Sequence, residues 1–149
     1  MIDVMSREMA IQYCMSSHTK EAVMISISDP RMEYCAEPFI SETNKVKDIL
    51  RLCFSDADQP GPDVYGNPVG INDLMTDDDA RRIIGFVCKY RDIDIIIHCD
   101  AGISRSAGVA AAILKLLTGS DFQVFDCPYY HPNMWCYRKV INTGLMIIV

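Results

Sequence analysis

A cysteine and an arginine separated by five residues, Cys99 and Arg105, anchor the stretch His98-Cys99-Asp100-Ala101-Gly102-Ile103-Ser104-Arg105-Ser106. An ionised cysteine is a nucleophile, and an arginine grips an oxyanion through a planar fork of donors that a lysine cannot copy. A loop that turns into a helix start aims several backbone N–H groups at one point, where the helix dipole adds positive charge. Such a nest suits a tetrahedral oxyanion, above all phosphate, and favours the thiolate of a cysteine at its mouth. Gly102 lets the backbone approach the anion closely. Asp100, Ala101, Gly102, Ile103, Ser104 and Arg105 therefore read as a phosphate cradle with Cys99 at its base.

The flanking elements must hold that loop. Ile93, Ile95, Ile96 and Ile97 form a β-branched run suited to a strand covered on both faces, and Gly108 to Leu117 suits a buried helix. Upstream, the sequence predicts a strand over Ile2 to Met5, then a helix over Arg7 to Cys14 with Met9, Ala10 and Tyr13 on one face. Strands follow over Ala22 to Ser28, stopped by Asp29-Pro30, and over Ile49 to Phe54. Residues 31–47 are polar and irregular. Ser55 to Gly70, rich in proline and glycine, reads as a long loop, and loops of that length are more often functional than idle. Thr76-Asp77-Asp78-Asp79 is a helix start, with Thr76 as cap and three acids on the positive end of the dipole; the helix runs to about Tyr90. A last helix is expected from Pro132-Asn133 to Gly144, with Met134, Tyr137 and Ile141 facing the core. Strands alternating with helices predict a single α/β domain over 1–149 with a mainly parallel central sheet flanked by helices. In such sheets ligands bind at the carboxyl ends of the strands, where the cradle lies.

Composition limits the partners. With half its residues hydrophobic, the chain can bury a full core, and its net charge of -6 argues against nucleic-acid or anionic-membrane binding. Its seven scattered cysteines suggest neither a disulfide framework nor a zinc site, and no leader or membrane-spanning run is read; together these point to a reducing cytoplasm. No oligomeric state is specified.

His98-Cys99-Asp100-Ala101-Gly102-Ile103-Ser104-Arg105-Ser106 resembles the HCxxGxxR[ST] signature of the protein tyrosine phosphatases, cysteine-dependent phosphatases, and is most similar to their small bacterial dual-specificity-like branch. The resemblance covers about Ile49 to Leu145 and implies a phosphotyrosine protein phosphatase-like fold, no cofactor and no metal. It implies that Cys99 attacks phosphorus to give a phosphocysteine, that Arg105 binds the equatorial oxygens, and that Ser106 hydrogen-bonds the sulfur and eases its departure. His98 is implied as a supporting residue that fixes the cradle, and burial beneath the loop argues against its acting as general base. Asp100 contributes its backbone N–H; its carboxylate is unhelpful to an anion unless it points outward.

The leaving oxygen needs a proton, and one carboxylic acid on a mobile loop can supply it and later activate water. The family places this acid just beyond the strand preceding the cradle strand, where Phe54-Ser55-Asp56-Ala57-Asp58 lies. Asp56 is the first choice, Asp58 the second and Asp63 the third. The separation from Asp56 to Cys99 is longer than usual in the family, and the excess falls in the segment before Asn72, which suggests an inserted lid or rim loop over 57–71. Tyr129, Tyr130, His131 and Trp135 are rim candidates, although aromatics near a helix start more often pack inward. Cys53 and Cys88 are candidates for a protective disulfide with Cys99.

The substrate implied is a phosphorylated protein, on phosphotyrosine with phosphoserine or phosphothreonine as further candidates, or a small phosphomonoester. The absence of lysine from Asp100 to Ser104 disfavours polyphosphoinositides. The competing readings are a catalytically silent module that binds phosphate or phosphoproteins through the same cradle, and sulfur or arsenate chemistry on a similar loop.

Overall fold

Four β-branched segments come together as one parallel sheet, in which Asp94–His98 lies between Ile2–Met5 and Ala22–Ser28, and Val46–Cys53 pairs with the other edge of Ala22–Ser28. The computed structural model describes residues 1–16, 20–30, 46–63 and 65–148. The strands are β1 (Ile2–Met5), β2 (Ala22–Ser28), β3 (Val46–Cys53) and β6 (Asp94–His98). A two-stranded antiparallel hairpin, β4 (Gly61–Pro62) and β5 (Pro68–Val69), occupies the segment expected to be all loop. The helices are α1 (Arg7–Met15), α2 (Asp77–Lys89), α3 (Arg105–Thr118), α4 (Phe122–Phe125) and α5 (Met134–Ile148).

β2 is buried along its whole length, as expected of a strand paired on both edges and covered on both faces. Its side chains alternate between two cores. Val23, Ile25 and Ile27 join Ile95 and Ile97 against α2, α3 and α5, whereas Ala22, Met24 and Ile96 meet Ala10 of α1 on the other face. Each fully buried isoleucine contributes roughly 1.5–3 kcal/mol. The register Ile25↔Ile97 and Ser26↔His98 is therefore strongly specified, because a slip by one residue would exchange the two cores.

α2 starts where its acids predicted. Thr76 Oγ1 accepts from the Asp79 N–H at 3.1 Å and the Asp79 carboxylate accepts from the Thr76 N–H at 3.0 Å. α3 is buried over its first ten residues, Arg105 to Leu114, which explains its small side chains. A Cβ on Gly108 would meet the Asn133 carbonyl oxygen, so α3 and the start of α5 approach more closely than alanine would allow.

Several expectations change. The helical face of α5 is shifted: Asn133, Cys136, Val140 and Gly144 are buried, while Met134, Tyr137 and Ile141 are half-buried beside them. The close approach at Gly108 sets which row of α5 faces inward. Met9 is 54% exposed, and α1 buries Ala10. β3 begins at Val46, earlier than read, and the short helix α4 was not foreseen. Of the segment 31–47, residues 31–45 lie outside the described residues. Cys53 is disulfide-bonded, a cross-link that the scattered cysteines did not suggest, and since Cys99 is a free thiol it is not the protective pairing considered for Cys53. Among the described residues, no helix is long and apolar enough to cross a membrane.

Candidate active site

Strand β6 ends at His98, and the chain crosses Cys99 to Ser104 before α3 begins at Arg105. The loop's carbonyl groups are tied from outside. The Arg7 N–H donates to the Asp100 carbonyl at 3.1 Å, His131 N–H to Ile103 at 2.9 Å, and Asn133 N–H to Ser104 at 2.9 Å. His98 Nδ1 donates to the Cys99 carbonyl at 3.1 Å. With these oxygens engaged, the backbone N–H groups of residues 100–106 donate to no backbone carbonyl among the described residues, leaving them for a ligand. Gly102 makes the turn possible: its φ is +72°, and a Cβ there would stand 2.6 Å from the backbone of Met5 and Ser6.

Cys99 is 2% exposed, and its Sγ lies 3.1 Å from Ser106 Oγ at the first turn of α3. Arg105 is also buried. Its Nη1 donates to the Phe54 carbonyl at 2.9 Å and its Nη2 to Asp100 Oδ2 at 3.0 Å, while Nε has no partner among the described residues. Burial opposes the charge on this guanidinium, but Cys99, Asp56 and Asp100 outweigh it and raise its pKa.

His98 is fully buried below the loop. Because a carbonyl can only accept, Nδ1 carries the hydrogen and Nε2 accepts from Ser26 Oγ at 2.7 Å. Burial pulls its pKa down to about 4; the Cys99 carbonyl opposes this and the neighbouring Arg7 and Arg105 add to it. The ring is neutral near pH 7 and serves as a brace between strand and loop.

The end of β3 brings in the acid. Phe54 N–H bonds Ser28 and Ser55 N–H bonds Asp73, which turns the chain out of the sheet beside the loop. Asp56 Oδ1 then accepts from Ser104 Oγ at 2.7 Å and Asn133 Nδ2 at 2.8 Å. Asn133 also bonds the Ala57 carbonyl at 3.1 Å, and its Oδ1 caps α5 by accepting from Cys136 N–H at 2.9 Å. An amide is needed for this double task, since an aspartate could cap the helix but not donate to Asp56. The other two candidate acids are occupied structurally. Asp58 accepts from the Met134 N–H at the start of α5, and Asp63 accepts from the N–H groups of Tyr65 and Asn67 in the hairpin turn.

An open cleft of about 590 Å³ borders this constellation, lined by Asp29, Ser55, Asp56, Tyr65, Val69 and Arg105 among others. Two buried polar atoms without a partner among the described residues, Arg105 Nε and Ser55 Oγ, belong to residues of this cleft, which suits a polar, oxygen-rich ligand. The 57–71 segment thus forms one wall through its hairpin. Another cleft, of about 390 Å³, lies between α2 and α5; its Lys139 pairs with Asp77 at 2.8 Å, and it holds none of the loop residues or candidate acids.

The aromatic rim candidates divide. Trp135 packs against the core and donates to the Met75 carbonyl at 2.9 Å, Tyr130 is half-buried, and Tyr129 is 60% exposed. His131 is exposed and meets the loop through its backbone. Cys99 and Cys88 are free thiols, and the bonded Cys53 is not paired with Cys99. Burial pushes the Cys136 thiol well up, as for an inert core cysteine. Sequence reasoning missed Arg7, although a cation just beyond a strand's carboxyl end is a signal for the ligand-binding edge. Asn133 is legible in the sequence as the start of the last helix, but its hold on Asp56 is not.

No protein-family model and no curated protein matches the chain. Among solved structures it is similar to PTPMT1 in complex with PI(5)P, at 18% identity and TM-score 0.55 over 98% of this chain and 89% of that one. It is similar to DUSP15 at 20% identity and TM-score 0.55, over 96% of this chain and 82% of that one. It is also similar to the human tyrosine phosphatase-like serine/threonine/tyrosine-interacting protein, at 16% identity and TM-score 0.57 over 87% and 80% of the two chains. At these identities the likeness is one of architecture, and the parallel sheet with its cysteine loop at the carboxyl edge has the fold of the protein tyrosine and dual-specificity phosphatases.

Proposed function

We propose that the protein is a phosphomonoester hydrolase that acts on phosphotyrosine, with phosphoserine and phosphothreonine as further substrates, through a phosphocysteine intermediate and without a metal. The observation that carries this reading is Cys99 Sγ placed 3.1 Å from Ser106 Oγ beneath a loop whose N–H groups are uncommitted, with Arg105 Nε unpartnered beside it among the described residues.

In this mechanism the Cys99 thiolate attacks phosphorus and the P–O bond to the leaving group breaks. Arg105 and the loop N–H groups bind the three equatorial oxygens and stabilise the transition state. Asp56 gives its proton to the departing oxygen; its Oδ2 accepts no hydrogen bond among the described residues, whereas Oδ1 is held by Ser104 and Asn133. The same carboxylate then takes a proton from the water that attacks the phosphocysteine. The Ser106 hydroxyl donates to the sulfur as it leaves.

Phosphorylated proteins suit the cleft better than polyphosphoinositides. The loop from Asp100 to Ser104 has no cation and carries an acid, so a second phosphate finds no partner there. Nucleic acid and anionic membranes are poor partners for a chain of net charge -6. A cytoplasmic location belongs to the same reading, because a free nucleophilic thiol persists in a reducing compartment. The disulfide at Cys53 pulls the other way, and alkylation of the protein in intact cells decides between them.

Hydrolysis of para-nitrophenyl phosphate in the presence of EDTA tests the reading. Turnover is expected in wild type and should fall at least about a thousandfold in Cys99→Ser, the loss typical of removing a covalent nucleophile. Equal turnover in that variant would defeat it.

A further inference from the structure

A carboxylate inside an oxyanion-binding loop works against the loop's own charge. Asp100 Oδ2 accepts from Arg105 Nη2 at 3.0 Å, so this acid and an incoming ester draw on the same guanidinium. Burial of Asp100 favours its neutral form, yet Arg7 and Arg105 outweigh that and hold its pKa below the usual carboxylate range. It is therefore charged at neutral pH.

Arg7 meets that charge from the other side. Its Nε and Nη2 both donate to Asp100 Oδ1, at 3.0 and 2.6 Å. The guanidinium is itself oriented from β2, since Nη2 also donates to Ser28 Oγ at 3.2 Å. The Arg7 backbone N–H holds the Asp100 carbonyl at 3.1 Å. One residue earlier, Met5 and Ser6 fill the space that a Cβ on Gly102 would need. The corner between β1 and α1 is thus built against the loop through backbone and side chain alike. A chance surface ion pair would have none of these supports.

We propose that Arg7 is a positioning residue for oxyanion binding: by neutralising and pinning Asp100, it holds the Asp100–Arg105 pair in one orientation and keeps Arg105 Nε available to the ester. Without Arg7, the Asp100 carboxylate would draw on Arg105 alone, and each phosphate oxygen entering the loop would compete with it for that one guanidinium. The proposal rests on the phosphatase reading of the loop, and it acts at the binding step.

Equilibrium binding of tungstate, measured by calorimetry, tests it without requiring turnover. The proteins are wild type, Arg7→Gln, Asp100→Asn and the double variant, each checked by thermal melting. Arg7→Gln is expected to weaken tungstate binding about tenfold, and in the Asp100→Asn background the same change should cost less than about twofold, a coupling of the size found for contacting charges. Arg7→Lys, which keeps the charge and loses the two-nitrogen grip, should fall between wild type and Arg7→Gln. In steady-state kinetics the loss should lie in KM more than in kcat.

The proposal is overturned if Arg7→Gln binds like wild type, or loses the same factor with and without the Asp100 carboxylate. If Arg7→Gln does not fold, the cycle of Arg7→Lys with Asp100→Asn measures the same coupling. The hydrolase and the role of Arg7 fail separately. Coupled tungstate binding without any turnover would sink the hydrolase and spare Arg7; normal turnover with additive binding losses would do the reverse.

Discussion

Histidine 98 and cysteine 99 are neighbours in sequence with opposite requirements. The thiol must meet a substrate, whereas the imidazole is sealed between Ser26 and the loop backbone with its pKa pulled down to about 4. That depression has a consequence for stability. The unfolded chain binds a proton to this histidine below about pH 6.5, but the folded chain resists until about pH 4. Stability is thus fully present above pH 6.5 and is lost as pH falls through that window, by an amount on the order of 3 kcal/mol from this group. Urea unfolding at pH 7 and pH 4.5 should reveal the slope, and His98→Gln should flatten it. An unchanged slope in the variant would mean that other groups carry the acid sensitivity.

Between elements, the start of α5 is the point where fold and chemistry meet. Asn133 caps the helix and holds Asp56, while Asp58 receives the next N–H and supports the same turn. Two acids two residues apart should therefore respond differently. Asp58→Ala is expected to cost about 1 kcal/mol of stability, as for a lost helix cap, with turnover kept. Asp56→Ala, which also loses the bonds from Ser104 and Asn133, should in addition lower the rate on an alkyl phosphate, a poor leaving group, by about a hundredfold or more, a loss that Asp58→Ala does not share. Thermal melts and turnover of both variants check this, and reversed phenotypes would transfer the general-acid role to Asp58.

Across the whole molecule, the oxyanion loop with Arg105 sits in an acidic body, and the cleft beside it is lined by Asp29, Asp56, Asp58 and Asp63. The net charge of -6 produces a field that attracts cationic substrates and repels anionic ones over about one Debye length, roughly 10 Å at 0.1 M salt. Phosphotyrosine peptides flanked by lysine or arginine should show several-fold higher kcat/KM than acidic ones at low ionic strength, and the difference should narrow at about 0.5 M salt. A preference that does not respond to salt would point to specific contacts along the cleft wall.

The amino-acid order alone dictated what lies contiguous along the chain. The isoleucine run, the Cys99-to-Ser106 stretch and the Thr76 helix start are local patterns, and period, capping and backbone geometry act within a few residues. The strands at 2–5 and 22–28 have the bounds read from their sequence for the same reason. Tertiary structure decided what depends on approach between distant segments. Arg7 meets Asp100 from 93 positions away, and Asn133 reaches Asp56 across 77. Neither pairing leaves a periodic trace. The inward face of α5 was likewise set by how closely Gly108 lets two backbones approach, and a pattern of half-apolar residues cannot encode that distance. The chain's order specified which groups share a loop; packing chose which carboxylates and guanidiniums share a site.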